Sequence, residues 1–296
     1  MKLAGLIPPM ITPLKAGGDV DGEAVEKLVN HIIEGGGSGV FIMGSSGEGP
    51  WLSSSQRETL ITRTVRAAAG RAPVLVGALE PGTERTLEAV RMIEAGGADA
   101  VVIASPYYLH TDESSQLQHF ERVAAASSLP IVLYNIPQMT HNPIVVSTVV
   151  KALQFDNVIA IKDSAGDMEN FKALLALHDQ YPDFRIFQGA EKLSAQSLLA
   201  GADGIVPGLG NIAPQWFVQI YRAASAGDAT TATRIQEMAD RLWTLHSYDY
   251  WLVCLKYAAS LKGFGTGATL GHPAHLTDDT RTAIRNLVAA VAVAGD

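Results

Sequence analysis

Eight short apolar runs, each followed by a segment of helical period, fill the first three quarters of the chain, and no other feature restricts the fold as much. The runs cover residues 5–13, 39–44, 73–79, 100–106, 130–137, 158–164, 184–190 and 204–209. They are mostly continuous in apolar character rather than alternating, as expected of parallel strands buried on both faces. Strand and helix in alternation mark βα units around a parallel sheet. Nothing in the pattern suggests a reversal of strand order, so eight units predict an α/β fold of the (β/α)8 TIM-barrel type rather than an open doubly wound sheet.

The intervening helices are delimited by local chemistry. Asp21, Ser53 and Thr83 stand at helix starts, where an oxygen-bearing side chain satisfies orphan backbone amides. The endings E-G-G-G-S-G, A-G-G-A-D-A and A-G-A-D-G precede the second, fourth and eighth runs, and glycine there supplies the left-handed turn that stops a helix. Beyond Asn211 strand signals cease and helices are predicted over 214–226, 228–245, 250–261 and 277–291. Residues 1–226 are accordingly predicted to form the barrel and 227–296 a helical extension packed on it, since no Pro/Gly/Ser linker separates the two.

Composition excludes several classes of function. A formal net charge of −8 over 296 residues argues against nucleic acid or an anionic membrane as the main partner, because phosphate binding depends on clustered Lys and Arg. The N-terminal residues lack a sustained apolar stretch with a cleavage site, and no run reaches the roughly 20 apolar residues of a membrane span, so a soluble cytoplasmic protein is expected. The single cysteine, Cys254, cannot form an internal disulfide and sits in an apolar helical segment, where it is expected to pack. His110, His119, His141 and His178 show no metal-ligand spacing, and no metal is expected.

Active sites of such barrels lie at the C-terminal ends of the strands. That rule nominates Thr12 and the segments at 44–48, 105–108, 134–137, 162–164, 189–191 and 206–211. Lys162, in V-I-A-I-K-D-S, is the only lysine among them. Lys151, Lys172, Lys192, Lys256 and Lys262 fall in helical patterns or near helix ends, where solvated or snorkelling side chains are expected. A desolvated amine favours its neutral form and is the usual nucleophile for an imine with a ketone; the alternative is a buried lysine paired with Asp163 or another carboxylate. Tyr134 ends the neighbouring run and is either a proton shuttle or a packed ring with a wet hydroxyl. Gly44-Ser45-Ser46-Gly47-Glu48 is an ordinary turn or one whose amides and hydroxyls converge on a small anion.

Taken together, G-S-S-G-E, S-P-Y-Y, Y-N-I-P and I-K-D-S, in that order and spacing, resemble the dihydrodipicolinate synthase and N-acetylneuraminate lyase superfamily of pyruvate-dependent class I aldolases. The resemblance spans essentially the whole chain. It implies that Lys162 forms a Schiff base with pyruvate or another 2-keto acid, with no cofactor beyond that covalent imine, and that Tyr134 shuttles protons. It implies that Ser45, Ser46 and Gly47 form the turn that binds the pyruvyl carboxylate, Ser46 also meeting the Tyr134 hydroxyl, and that the Val206 carbonyl faces the substrate. Tyr108 would reach across a dimer interface to complete the relay, in a homo-oligomer built as a dimer of dimers, while Tyr107 packs.

The substrate turns on departures from the pattern. Met139 stands where the synthases carry an arginine, and a methionine offers no bidentate pair to a second carboxylate. Glu191 either accepts hydroxyl hydrogen bonds or acts as an acidic first-turn residue of the next helix, and the G-L-G-N loop is read as a tight turn with Asn211 as cap rather than a phosphate cradle. The expectation is an aldolase or lyase acting on a 2-keto-3-deoxy sugar acid or similar hydroxylated 2-keto acid. The alternatives are condensation of pyruvate with an aldehyde, as in dihydrodipicolinate synthesis, a dehydratase using the same imine, or a non-catalytic pyruvate-binding paralogue.

Overall fold

A computed structural model describes residues 3–273 and 275–293; the outermost residues of the two predicted spans, 1–2 and 294–296, lie outside the described residues. Eight parallel strands, β1 (Gly5–Leu6), β2 (Val40–Ile42), β3 (Val74–Gly77), β4 (Ala100–Ala104), β5 (Ile131–Asn135), β6 (Val158–Asp163), β7 (Arg185–Gln188) and β8 (Gly204–Ile205), pair in the order β1-β8-β7-β6-β5-β4-β3-β2. The ring closes where Pro9 bridges Phe41, with Phe41 N–H donating to Pro8 O at 3.0 Å and Met10 N–H to Phe41 O at 2.7 Å. The predicted (β/α)8 barrel with C-terminal helices is therefore the observed fold.

Strand ends are shorter than the apolar runs. Regular pairing of the first run stops at Leu6 because Pro8 and Pro9 have no N–H to give a ladder, although the chain continues extended to the closing bridge. Asp21 caps its helix through Ala24 N–H, and Ser53 forms a capping box with Gln56. Thr83 corrects its expected role: Gly82 is the cap residue, and the Thr83 hydroxyl instead meets His119 Nδ1 at 3.0 Å. Gly36, Gly97 and Gly201 take the expected left-handed turns, at φ of 91°, 78° and 106°.

Two apolar layers follow from the strand alternation. Inside the barrel, Leu3, Ile7, Phe41, Leu75, Val102, Val132, Ala160, Phe187 and Val206 pack on one another. Outside it, the other face of each strand meets the helices in a larger core that runs on without a break into Ile235, Leu242, Leu245, Val253, Cys254 and Ile284 of the C-terminal helices. Cys254 is buried there, as expected. The predicted helix over 228–245 is α-helical over Ala229–Trp243 and tightens into a 3₁₀ turn over Thr244–Ser247, followed by helices Trp251–Ser260 and Asp278–Val293. Among the described residues no helix is long and apolar enough to cross a membrane.

Candidate active site

Lys162 is the fifth residue of β6, register-paired with Tyr134 on one side and Phe187 on the other. Its side chain points into the barrel and is 5% exposed. Nζ lies 4.0 Å from the centroid of the Tyr134 ring and 5.1 Å from that of Phe41, and these two rings meet edge to face at 6.0 Å. Beneath the amine the interior layer leaves a void of about 10 Å3, no more than one water would fill. Above it opens a cavity of about 260 Å3 lined by Lys162, Tyr134, Ser45, Ser46, Ser164, Gly189, Glu191, Val206 and Gly208. The amine is thus held at the boundary between a packed floor and an open chamber.

The pairing of Lys162 with Asp163 does not occur. Strand alternation sends successive side chains to opposite faces. Asp163 turns outward and accepts Ala165 N–H at 2.7 Å, Asn170 Nδ2 at 3.0 Å and Asn135 Nδ2 at 3.3 Å. Burial pushes its pKa up, and these three donors pull against that shift. Gly189 leaves room beside the lysine: a Cβ there would stand 2.8 Å from Lys162 Cε and 2.0 Å from Ser164 Oγ, so both side chains would have to move.

The loop after β2 brings two hydroxyls to the cavity wall. Ser45 and Ser46 line it, whereas Gly47 does not: its contribution is the turn, where a Cβ would meet Met10 O and Met43 N at 3.0 Å. Thr12 supports the turn from behind, its hydroxyl donating to Gly47 O at 2.6 Å. Among the described residues no hydrogen bond joins the Ser46 and Tyr134 hydroxyls, although both line the chamber. Two non-glycine residues bracket the turn in left-handed conformation, Met43 at φ 58° and Glu48 at φ 54°, a costly geometry of the kind that gathers at functional sites.

Glu191 opens a 3₁₀ turn, as an acidic first-turn residue, and also lines the cavity. Its Oε1 accepts Leu209 N–H at 2.6 Å. Burial raises its carboxyl to about 7, opposed by the Leu209 N–H, by the positive Lys162 and by the Gly208 N–H. Asn211 is not a helix cap. It is buried and joins the first and eighth strand ends, donating to Pro9 O at 3.0 Å and Gly208 O at 2.7 Å and accepting Ile11 N–H at 3.0 Å.

Met139 stands at the cavity mouth, 51% exposed. Tyr107 is half-buried with its hydroxyl 3.4 Å from Leu79 O. Tyr108 does not join the chamber of its own chain: it is 91% exposed, at φ 79°.

Several cavity residues gave no sequence signal. His246, Trp251 and Leu255 come from the C-terminal helices and close one side of the chamber. His246 packs edge-on against Trp243 and Trp251, and burial lowers its pKa to about 4, so it is neutral at physiological pH. Lys162 is the only lysine or arginine lining the cavity among the described residues. Lys256 contradicts the expectation of a solvated side chain. It is fully buried and paired with Glu48, because the helix that carries it lies over the barrel mouth.

Known proteins share the sequence pattern and the fold over nearly the whole chain. A 4-hydroxy-tetrahydrodipicolinate synthase of Heliobacterium modesticaldum is 31% identical, over 97% of this chain and 95% of its own length. A probable 2-dehydro-3-deoxy-D-pentonate aldolase, YjhH, of Escherichia coli is 29% identical over 88% of each chain. The crystal structure of YagE from Escherichia coli, a member of the dihydrodipicolinic acid synthase family in complex with pyruvate, superposes with a TM-score of 0.92 at 26% identity, over 98% of this chain and 99% of that one. The Dihydrodipicolinate synthetase family pattern matches residues 2–291, and the chain belongs to that family.

Proposed function

We propose that the protein is a pyruvate-dependent aldolase that cleaves or forms a hydroxylated 2-keto acid, of the 2-keto-3-deoxy sugar acid kind, through an imine on Lys162. The observation that carries the reading is the placement of Lys162: buried on an apolar floor, facing the Tyr134 ring, and opening on a chamber it shares with Glu191. Such an amine attacks the keto carbon, and loss of water leaves a C=N bond. Once that imine is protonated, the bond between C3 and C4 breaks and its electron pair moves into an enamine. The C4 hydroxyl gives up its proton as the aldehyde leaves. Protonation of the enamine at C3 and hydrolysis then release pyruvate and free the lysine.

Tyr134 takes the proton steps in this reading, and the turn carrying Ser45 and Ser46 takes the pyruvyl carboxylate; all three line the chamber with Lys162. Tyr108 of a second copy would complete the relay in an oligomer of dimers. Glu191 and the uncharged wall of His246, Trp251 and Leu255 favour a hydroxylated, uncharged remainder over a second carboxylate, for which the chamber offers no arginine among the described residues. The aldolase name of the Escherichia coli relative and the bound pyruvate of YagE support this reading. The reverse condensation with an aldehyde is the second reading, favoured by the synthase relative. Incubation with pyruvate and borohydride is expected to add one reduced pyruvyl group to Lys162. Labelling that persists unaltered in Lys162→Ala removes the mechanism. A panel of 2-keto-3-deoxy acids and aldehydes, followed by pyruvate release or consumption, separates the two directions.

A further inference from the structure

Glu48, the last residue of the G-S-S-G-E turn, carries a carboxylate that lies wholly inside the protein, with the side chain 0% exposed. Its Oε2 is in direct contact with Nζ of Lys256, 1% exposed and 208 residues away in sequence. Its Oε1 accepts the Leu270 N–H at 2.6 Å. Lys256 belongs to helix Trp251–Ser260, the helix whose Trp251 and Leu255 line the chamber. Leu270 follows Thr266, which is tied to Leu14 O by both its N–H, at 3.1 Å, and its hydroxyl, at 2.9 Å. The C-terminal part of the chain therefore grips the second-strand turn at one carboxylate from two directions.

Such a pair contributes little to net stability, because desolvating two charges offsets most of their attraction, and an apolar pair of similar volume serves as well. Its value is directional. Glu48 sits in a left-handed backbone, two residues from Ser46, and Lys256 is the cation that meets its carboxylate among the described residues. The turn's own bonds, Glu48 N–H to Ser45 O and Gly49 N–H to Gly44 O, are both 3.2 Å and fix its shape, and the Thr12 hydroxyl on Gly47 O holds it from the first-strand side. The grip on Glu48 holds it from the C-terminal side.

We propose that the Glu48–Lys256 pair is a positioning device of the keto-acid site, holding Ser45 and Ser46 in register with Lys162 so that the substrate carboxylate is captured as the imine forms. The inference rests on the imine reading above. Neither residue is among those lining the chamber. The pair sets the affinity of the site through the hydroxyls it places.

The test measures borohydride labelling of Lys162 against pyruvate concentration, together with thermal melting, in the unaltered protein and in Glu48→Gln, Lys256→Met and the double variant. Each single variant leaves one buried group without its partner, so both are expected to melt lower. The double variant is expected to melt within about 4 °C of the unaltered protein. It should nevertheless need about tenfold more pyruvate or beyond for half-maximal labelling, the loss of one hydrogen bond to a charged group. A double variant with unshifted half-saturation overturns the proposal and leaves the pair purely structural. If the double variant does not fold, Lys256→Arg decides: it keeps the charge with a different reach, and a shifted half-saturation at unchanged melting supports the proposal, whereas an unshifted one rejects it. Absence of label in the unaltered protein removes the imine reading and this inference together, whereas label with unshifted variants removes this inference alone.

Discussion

Tyr134 and Lys162 are register partners on adjacent strands, and the lysine amine stands 4.0 Å from the centroid of the tyrosine ring. Both side chains point inward at the same height because parallel neighbours in register share their alternation. The pair is therefore built by strand pairing, a rigid scaffold that places an amine against a phenol without using loop geometry. Its position at the strands' C-terminal ends puts it at the mouth of the barrel, above a floor with no room for substrate.

Tyr134→Phe keeps the ring beside Lys162 and removes only the phenol. Turnover is expected to fall between about a hundredfold and ten-thousandfold, the usual worth of a positioned proton-transfer group. Melting should stay within about 1 kcal/mol of the parent. Steady-state pyruvate release measures the first and calorimetry the second; an unchanged rate would take the proton steps away from Tyr134.

Glu191 carries a titration that reaches stability. Its folded-state value of about 7 lies above the 4.5 of an unperturbed glutamate, so the folded protein binds the extra proton between those values. Stability from this group is thus full below about 4.5 and declines as pH rises through about 7, by an amount on the order of 1–3 kcal/mol. Glu191→Gln should remove that decline, and any change in the pH–rate profile near 7 should vanish with it. Chemical denaturation at pH 5 and pH 8 reads the difference; parallel behaviour of the two proteins contradicts the shift.

Met139 stands exposed at the chamber mouth. Met139→Arg supplies a cation that can pair with a carboxylate bidentately. The ratio of kcat/KM for a carboxylated aldehyde over an uncharged one is expected to rise by about tenfold or more. Competition between aspartate semialdehyde and glyceraldehyde in pyruvate consumption checks it, and a ratio that stays put places the specificity elsewhere.

Tyr108 costs backbone strain for an exposed ring, at φ 79° and 91% exposure, which suits a residue whose contact lies on another chain. Sedimentation is expected to give an oligomer, and Tyr108→Phe to lower turnover by about tenfold or more with melting unchanged. A fully active monomer, or a Phe variant with parental turnover, excludes the shared relay.

What could be read in advance follows from how locally each feature is encoded. A strand buried on both faces has to be apolar throughout, so β3 to β7 stood out as runs. A lysine inside such a run, Lys162, drew attention because its cost is visible without a partner. Ser53 with Gln56 and Asp21 with Ala24 were readable as caps because the bond spans only three residues. Thr83 has the chemistry of a cap but stands one residue inside its helix, where Gly82 takes the cap position without a side chain.

The sequence by itself determined the barrel, the height of Lys162 and Tyr134 on neighbouring strands, and the turn bearing Ser45 and Ser46. Only the tertiary structure decided that Asp163 turns away, that Asn211 joins the two strand ends, that Lys256 is buried on Glu48, and that His246, Trp251 and Leu255 wall the chamber. The reason is physical. Periodicity records which face of an element is buried, whereas a buried charge is tolerated only if its partner arrives, and Lys256 finds its partner 208 residues back along the chain, where no local pattern can announce it.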